Sequence, residues 1–519
     1  MKSYFLITLL WSCLLFTSTV LGQNSASISV HKPVQPVFIG EDHNAVLKFE
    51  ILTMQSGVTA EEFTLLFGSE TTRFIERVQL FYTGNENEFS AEKEVGSTDE
   101  LNEQQTISMN QALDEGRNYF WVSVKLNNAV SLTDLLEINS KSVLLSGNEY
   151  RAESDRPNTG LRPAVKVRKA NQDGEHTYRI PAMVTSNEGT LLAVYDVRRD
   201  DSSDLQGDID VGLSRSTDGG ETWEPMQIIM NMGTWGDRPI AENGIGDPAI
   251  LVDRNTGTIW VSALWIHGYP DTHAWFSSQQ GMEPHETGQF MLVKSEDDGQ
   301  TWSDPINITD QIKKPEWHLL LMGPGNGITM SNGTLVFAAQ YKDENEMPWS
   351  TIVYSSDGGE NWTIGEPVRT NTTEAQVVEL EAGKLMINMR DNRGGARSIY
   401  TTIDMGETWQ EHPSSRTALQ EPVSMASLIR SNPERRGYNH NYLLFSNPNS
   451  TAARVNMTIK LSKDNGLTWP SEYQVLLDEN RGFGYSSLTM IDEETVGILY
   501  EGVRDLYFQK IRLDELLKR

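Results

Sequence analysis

The sequence predicts an all-β chain in which a β-sandwich precedes a β-propeller, and three observations carry that reading. Residues from about 24 to 155 run in short alternating apolar and polar stretches separated by Gly, Asn and Asp turns. Past a polar, proline-bearing link the texture changes, and one eight-residue pattern then recurs five times. Its starts lie roughly 45 to 80 residues apart, a period that suits one four-stranded blade with variable loops.

Residues 1–22, "MKSYFLITLLWSCLLFTSTVLG", have a lysine, an apolar run and then small residues, the layout of a secretory signal. The chain is therefore expected to be exported. No later segment reaches the roughly 18 apolar residues that a spanning helix needs, so a soluble mature protein is expected. A lipid anchor at "LWSC" competes with the signal, but the apolar run before it is short. Cys13 is the only cysteine and lies inside the signal, which excludes disulfides, thiolate metal sites and a cysteine nucleophile from the mature chain.

Residues 23–155 contain "SISVHKPVQPVFIG", "AVLKFEIL", "RVQLFYTG" and "NYFWVSVKL", the alternation of an antiparallel sandwich. Carbohydrate binding and a purely structural role compete there, and Phe81, Tyr82, Phe120 and Trp121 are the aromatics that would be exposed in one case and core in the other. The link is "AESDRPNTGLRP", and the propeller is assigned to residues 156–519.

The octets are "STDGGETW", "SEDDGQTW", "SSDGGENW", "TIDMGETW" and "SKDNGLTW", starting at 216, 295, 355, 402 and 462. Their parts suit a hairpin: Ser/Thr and Asp side chains bond backbone amides, Gly supplies a positive φ, and Trp packs into apolar surroundings. The complete calcium-loop spacing and its terminal Glu are absent, so no metal is assigned, and no cofactor motif is present. A catalytic acid is needed once, not on every blade, so the repeated aspartates are read as structural.

Asp and Glu number 72 against 43 Lys and Arg, a net charge of -29. That field disfavours nucleic acid and anionic membranes, and any anion site must be built from specific arginines.

The motif "YRIP" at 178–181, together with the five octets, resembles the bacterial exo-sialidases over roughly residues 165 to 515. The resemblance implies a six-bladed propeller and sialylated glycans as substrates, and the export signal with no retained cysteine suits a bacterial periplasmic or secreted location. The resemblance also implies three arginines that grip the sugar carboxylate, an aspartate acid/base, and a tyrosine nucleophile paired with a glutamate. Arg179 of "YRIP" matches the first arginine, Arg390 of "KLMINMR" the second and Arg454 of "STAARVNM" the third. Glu374 and Tyr485 match the base and nucleophile, Asp204 the acid/base, and Arg198 an arginine that contacts the sugar ring. Asp247 of "GIGDPAIL" matches a residue that hydrogen-bonds a sugar hydroxyl.

The chemistry suits such residues. Guanidinium stays charged and bonds a carboxylate bidentately, and a neutral phenol escapes the repulsion that a carboxylate nucleophile would meet from an anionic substrate. Tyrosine's pKa near 10 then demands a base, and an acid working near neutrality needs a carboxyl whose pKa is raised.

Each residue also has a plainer reading: surface arginines, a core tyrosine, and for "VRRDDSSD" at 197–204 a solvated ion-pair loop in which Asp201 rivals Asp204. A trans-sialidase or anhydro-forming enzyme would carry the same residues, and a non-catalytic Asp-box protein would keep the octets alone. The insertion "WIHGYPDTHAWFSSQQGMEPHE", 265–286, borders the leaving group in one reading and is an ordinary surface insertion in the other.

Overall fold

The computed structural model describes residues 26–517 except 270–271 and 432–440. The expected export signal, Cys13 and the "LWSC" segment lie outside the described residues.

The N-terminal part is two antiparallel sheets packed face to face. One orders the strands Ala26–His31, Asn44–Thr53, Gly116–Leu126, Ile75–Gly84 and Glu94–Thr98, and the other Asn148–Arg151, Ile138–Leu145, Thr59–Phe67 and Gln104–Ala112. The strand "NAVLKFEILT" nearly alternates buried and half-buried positions, as a sheet with one covered face requires. Phe49, Phe63 and Phe120 meet between the sheets, with ring centroids 4.8 and 5.0 Å apart. Phe81, Tyr82 and Phe120 are all buried, leaving Trp121 alone of the four sequence-flagged aromatics partly exposed.

Beyond the link, six sheets of four or five strands follow one another over the described residues 162–512. Their innermost strands are Thr177–Thr185, Ile245–Val252, Gly325–Asn326 with Ile328–Thr329, Thr372–Glu381, Ser427–Arg430 and Ser486–Met490. These touch in cyclic order, the last packing on the first, so the sheets close into a propeller ring. Strands such as "LLAVYDVR" are buried at every position, because each blade is covered on both faces by its neighbours.

Each octet forms the turn between the third and fourth strands of a blade. In the first, Asp218 Oδ1 accepts from the Thr222 amide (3.0 Å) and Oδ2 from the Thr222 hydroxyl (2.6 Å), while Ser216 Oγ accepts from the Gly220 amide (2.8 Å). Gly220 has φ +92°, and a Cβ there would lie 2.1 Å from the Phe508 ring, so glycine is required twice over. The sixth blade has no octet for a topological reason. Its strands Ser486–Met490, Thr495–Glu501 and Leu506–Arg512 are completed by Arg162–Arg168 from the other end of the chain, so no hairpin joins its third and fourth strands.

One strand departs from the sequence-based division. Pro36–Phe38, assigned to the sandwich, pairs in parallel with Arg162–Ala164 and extends the sixth blade.

Candidate active site

Three inner strands break register near one end of the ring: between Arg179 and Ala182, between Gly246 and Ala249, and between Thr372 and Ala375. A bulge re-aims side chains at a strand end. Ile180 and Asp247 take φ +53° and +55° at two of these breaks, an uncommon conformation for any non-glycine residue and a strained one for a β-branched side chain. Arg179, Asp247 and Glu374 sit at the three irregularities.

Two of them, Asp247 and Glu374, line a cavity of about 500 Å³ together with Asp204, Arg390 and Tyr485 among others, and Arg179 borders it through its bond to Asp204. Tyr485 lies at its floor. The phenol Oη donates to Glu374 Oε1, and Arg390 Nη1 donates to Glu374 Oε2 (2.7 Å) and to the phenol oxygen (3.1 Å). Arg179 and Arg454 flank the same ring, their guanidinium carbons 5.6 and 5.4 Å from its centroid. Burial raises the Tyr485 pKa well above its ordinary value; Glu374 adds to this, and Arg390, Arg454 and Arg179 oppose it. Glu374 is therefore placed to take the phenol proton, and the arginines to favour the charged oxygen.

The three arginines are held differently. Arg179 donates from Nε to Glu501 (3.2 Å) and from Nη1 to Asp204 (3.0 Å). Arg454 is fixed by the carbonyls of Phe483 (2.7 Å) and Val423 (3.2 Å), which orient it without neutralising it. Arg390 has a buried Nε with no hydrogen-bond partner. The set can therefore take up an anion.

Asp204 crowns the loop after "LLAVYDVR". Its Oδ1 accepts from Arg198 (2.7 Å) and Arg179 (3.0 Å), and its side chain is 59% exposed. Partial burial works to raise its pKa, but the two guanidiniums outweigh it and hold the carboxyl below the ordinary range. The raised value anticipated for an acid near neutrality is absent from the free pocket, because Arg198, and with it Arg179 of the anion-gripping set, binds this carboxylate meanwhile. Arg198 is only 1% exposed and is pinned by Asp196 at 2.7 and 3.1 Å, so it stands behind Asp204 rather than in the cavity lining. Asp201, the rival acid, turns back to the Ser203 amide (2.6 Å), and Arg199 pairs with Glu175, Asp208 and Asp210. Asp247 differs again: burial, and then Asp196 and Asp204, push its pKa well up, favouring the neutral, donating form.

Two supporting carboxylates escaped sequence reading. Glu501 is 2% exposed and accepts from Arg179, from the Ile180 amide (2.9 Å) and from the Tyr485 amide (2.9 Å), tying the "YRIP" strand to the tyrosine. It ends the apolar run "TVGILYE", a place where a buried charge is costly without a partner, so a signal existed. Asp196 stands two residues before Arg198 on one strand, hence on the same face. The insertion 265–286 reaches the cavity through His273, Ala274, Trp275 and Phe276. Among the described residues no group of three or more His, Cys, Asp or Glu side chains is placed to hold a metal ion.

A propeller whose cavity joins a phenol–carboxylate pair to converging arginines defines a glycoside hydrolase built for a carboxylated sugar. Residues 180–501 match the BNR repeat-like domain, and residues 25–149 match the N-terminal domain of BNR-repeat neuraminidase. The chain is 51% identical to a sialidase of Bacteroides fragilis over 80% of its own length and 77% of the relative's. A solved structure, Hadza microbial sialidase Hz136, superposes with a TM-score of 0.88 at 44% identity, covering 94% of this chain and 99% of that one. A leech intramolecular trans-sialidase, 17% identical with a TM-score of 0.59 over 91% of this chain and 84% of that one, shares the fold. The chain belongs to the BNR-repeat neuraminidases, the sialidases.

Proposed function

We propose that this chain is an exported exo-α-sialidase that releases terminal sialic acids from glycans by retaining hydrolysis, through Tyr485 as nucleophile. The observation that carries the reading is the phenol of Tyr485 held between Glu374 and Arg390 at the floor of a cavity whose wall bears Asp204. The propeller at 156–519 is the catalytic domain and the sandwich at 23–155 an accessory one.

The substrate carboxylate binds Arg179, Arg390 and Arg454, and Asp247 donates to a sugar hydroxyl. As the carboxylate takes Arg179, Asp204 loses one of its two cations and some of its water, so its pKa rises toward the range an acid needs. Tyr485 Oη then attacks the anomeric carbon while its proton passes to Glu374, and Asp204 protonates the departing glycosidic oxygen as that bond breaks. Water attacks the glycosyl-tyrosine, giving its proton to Asp204 while Glu374 returns its own to the leaving phenolate. One glycosidic bond and one water are consumed, and every side chain is restored.

Proton NMR during cleavage of 3'-sialyllactose tests this. Sialic acid appearing first as the α-anomer supports retaining hydrolysis. An anhydro-sugar or a transferred product replaces hydrolysis with transfer, and no release removes the enzymatic reading.

A further inference from the structure

We propose that the turn His273–Ser277 is the leaving-group subsite of this pocket, with the Phe276 ring as the platform on which the departing pyranose rests. The proposal builds on the sialidase reading above. An acid that protonates the bridging oxygen lies beside it, so the departing sugar extends along the wall that carries Asp204.

That wall is the insertion. The Ala274 amide donates to the Leu205 carbonyl (2.6 Å), and the Gln206 amide to the Thr272 carbonyl (3.3 Å), so the turn is stitched to the two residues that follow Asp204. The Gln206 side chain locks the junction. Its Nε2 donates to the carbonyls of Ile266 (3.0 Å) and Gly268 (3.0 Å), and its Oε1 accepts from the amides of Gly207 (3.1 Å) and Gly244 (3.0 Å). All four hydrogen-bonding positions of the amide are used, which joins the acid loop, the root of the insertion and the strand bearing Asp247 into one unit.

The opposite side of the turn is anchored by Lys342, whose Nζ donates to the Trp275 carbonyl (2.8 Å) and lies 5.4 Å from that indole's centroid. Ala274 and Ser277 are buried, whereas Phe276 lines the cavity and is 67% exposed. A large apolar ring is thus held open to solvent, on a fixed turn, next to the acid. The C–H face of a pyranose is the chemistry that would cover such a ring.

The test compares kcat/KM for 3'-sialyllactose and for methyl α-sialoside, whose leaving group has no ring, in the full-length protein, Phe276→Ala and Phe276→Tyr. Phe276→Ala is expected to lower the sialyllactose-to-methyl ratio by about three- to tenfold, and Phe276→Tyr to hold it within about twofold of the unsubstituted protein. An unchanged ratio in Phe276→Ala overturns the subsite while leaving the sialidase reading intact. Cleavage of neither substrate by the unsubstituted protein overturns both.

Discussion

Glu374→Gln isolates the proton path at the pocket floor, since it keeps the side chain's size and removes its basicity. One carboxylate oxygen accepts from the Tyr485 phenol and the other from Arg390 at 2.7 Å. A glutamine can still accept from the phenol, but it cannot hold the proton. General-base assistance contributes about 100- to 10,000-fold, so kcat/KM should fall by that factor, about 3 to 5 kcal/mol of barrier. The pH profile carries the signature. Burial raises the Tyr485 pKa, Glu374 raises it further, and three arginines pull it down. With the Glu374 charge gone the arginines are less opposed, so the phenol becomes easier to ionise. The variant should therefore regain activity as pH rises, by about tenfold per unit while the phenolate is scarce. The unsubstituted enzyme, whose base takes the proton as the bond forms, should not. Steady-state hydrolysis of an aryl sialoside from about pH 5 to 9 reads both effects. A loss below about fivefold, or a profile parallel to that of the unsubstituted protein, refutes the reasoning. Glu374 and Arg390 are partly exposed, so the stability cost should stay at about 1 to 3 kcal/mol, and a thermal melt checks that the fold survives.

Asp204→Asn should lower turnover of sialyllactose by about 100- to 10,000-fold, and turnover of a nitrophenyl sialoside by less, because that leaving group departs with little protonation; equal losses on the two would remove the acid role. Glu501→Gln leaves buried Arg179 without its full counter-charge, so a loss of about 3 to 5 kcal/mol in denaturant unfolding is expected, with a raised KM in whatever folds; an unchanged melt would show that Arg179 is supported elsewhere. Asp297→Ala removes the acceptor of the Thr301 hydroxyl and amide in the second octet and should cost about 1 to 2 kcal/mol with turnover intact. Thr301 first, and then its amide, hold the Asp297 pKa down to about 2. This stabilisation is complete above the carboxyl's unfolded pKa and fades as pH falls toward about 2, so the gap in melting temperature between the two proteins should close in acid. A gap constant down to that pH contradicts it.

The architecture was legible because its signal is periodic. Five octets at blade spacing mark the third-to-fourth-strand turns, and the sandwich shows in short runs of near-alternation. The contribution of Pro36–Phe38 to the sixth blade was hidden, since three residues have no period and their partner lies more than a hundred positions away. At the site, Glu374, Arg390, Asp204, Asp247 and Tyr485 line one cavity, with Arg179 and Arg454 against the tyrosine ring. For Arg198, sequence supplies the spacing to Asp204 but not the claim that Asp196 makes on its guanidinium. The electrostatics of Asp204 were the least legible part, because its low pKa arises from two guanidiniums brought beside it by the pairing of its strand with the "YRIP" strand and by the path of its own loop.

The closing of the ring by the sixth blade sets an order of events during synthesis. Arg162–Arg168 leaves the ribosome before any blade is complete, and its antiparallel partner Leu506–Arg512 emerges after the other five blades. Until then Arg162–Arg168 lacks its antiparallel partner in the sixth blade, and the ring lacks the blade that closes it. Glu501 and Tyr485 belong to the final segment, so Arg179 waits beside a vacant position through nearly all of translation. Shortening the chain by its last few strands would leave most of the hydrophobic surface in place and yet deprive the protein of both its seam and its pocket floor.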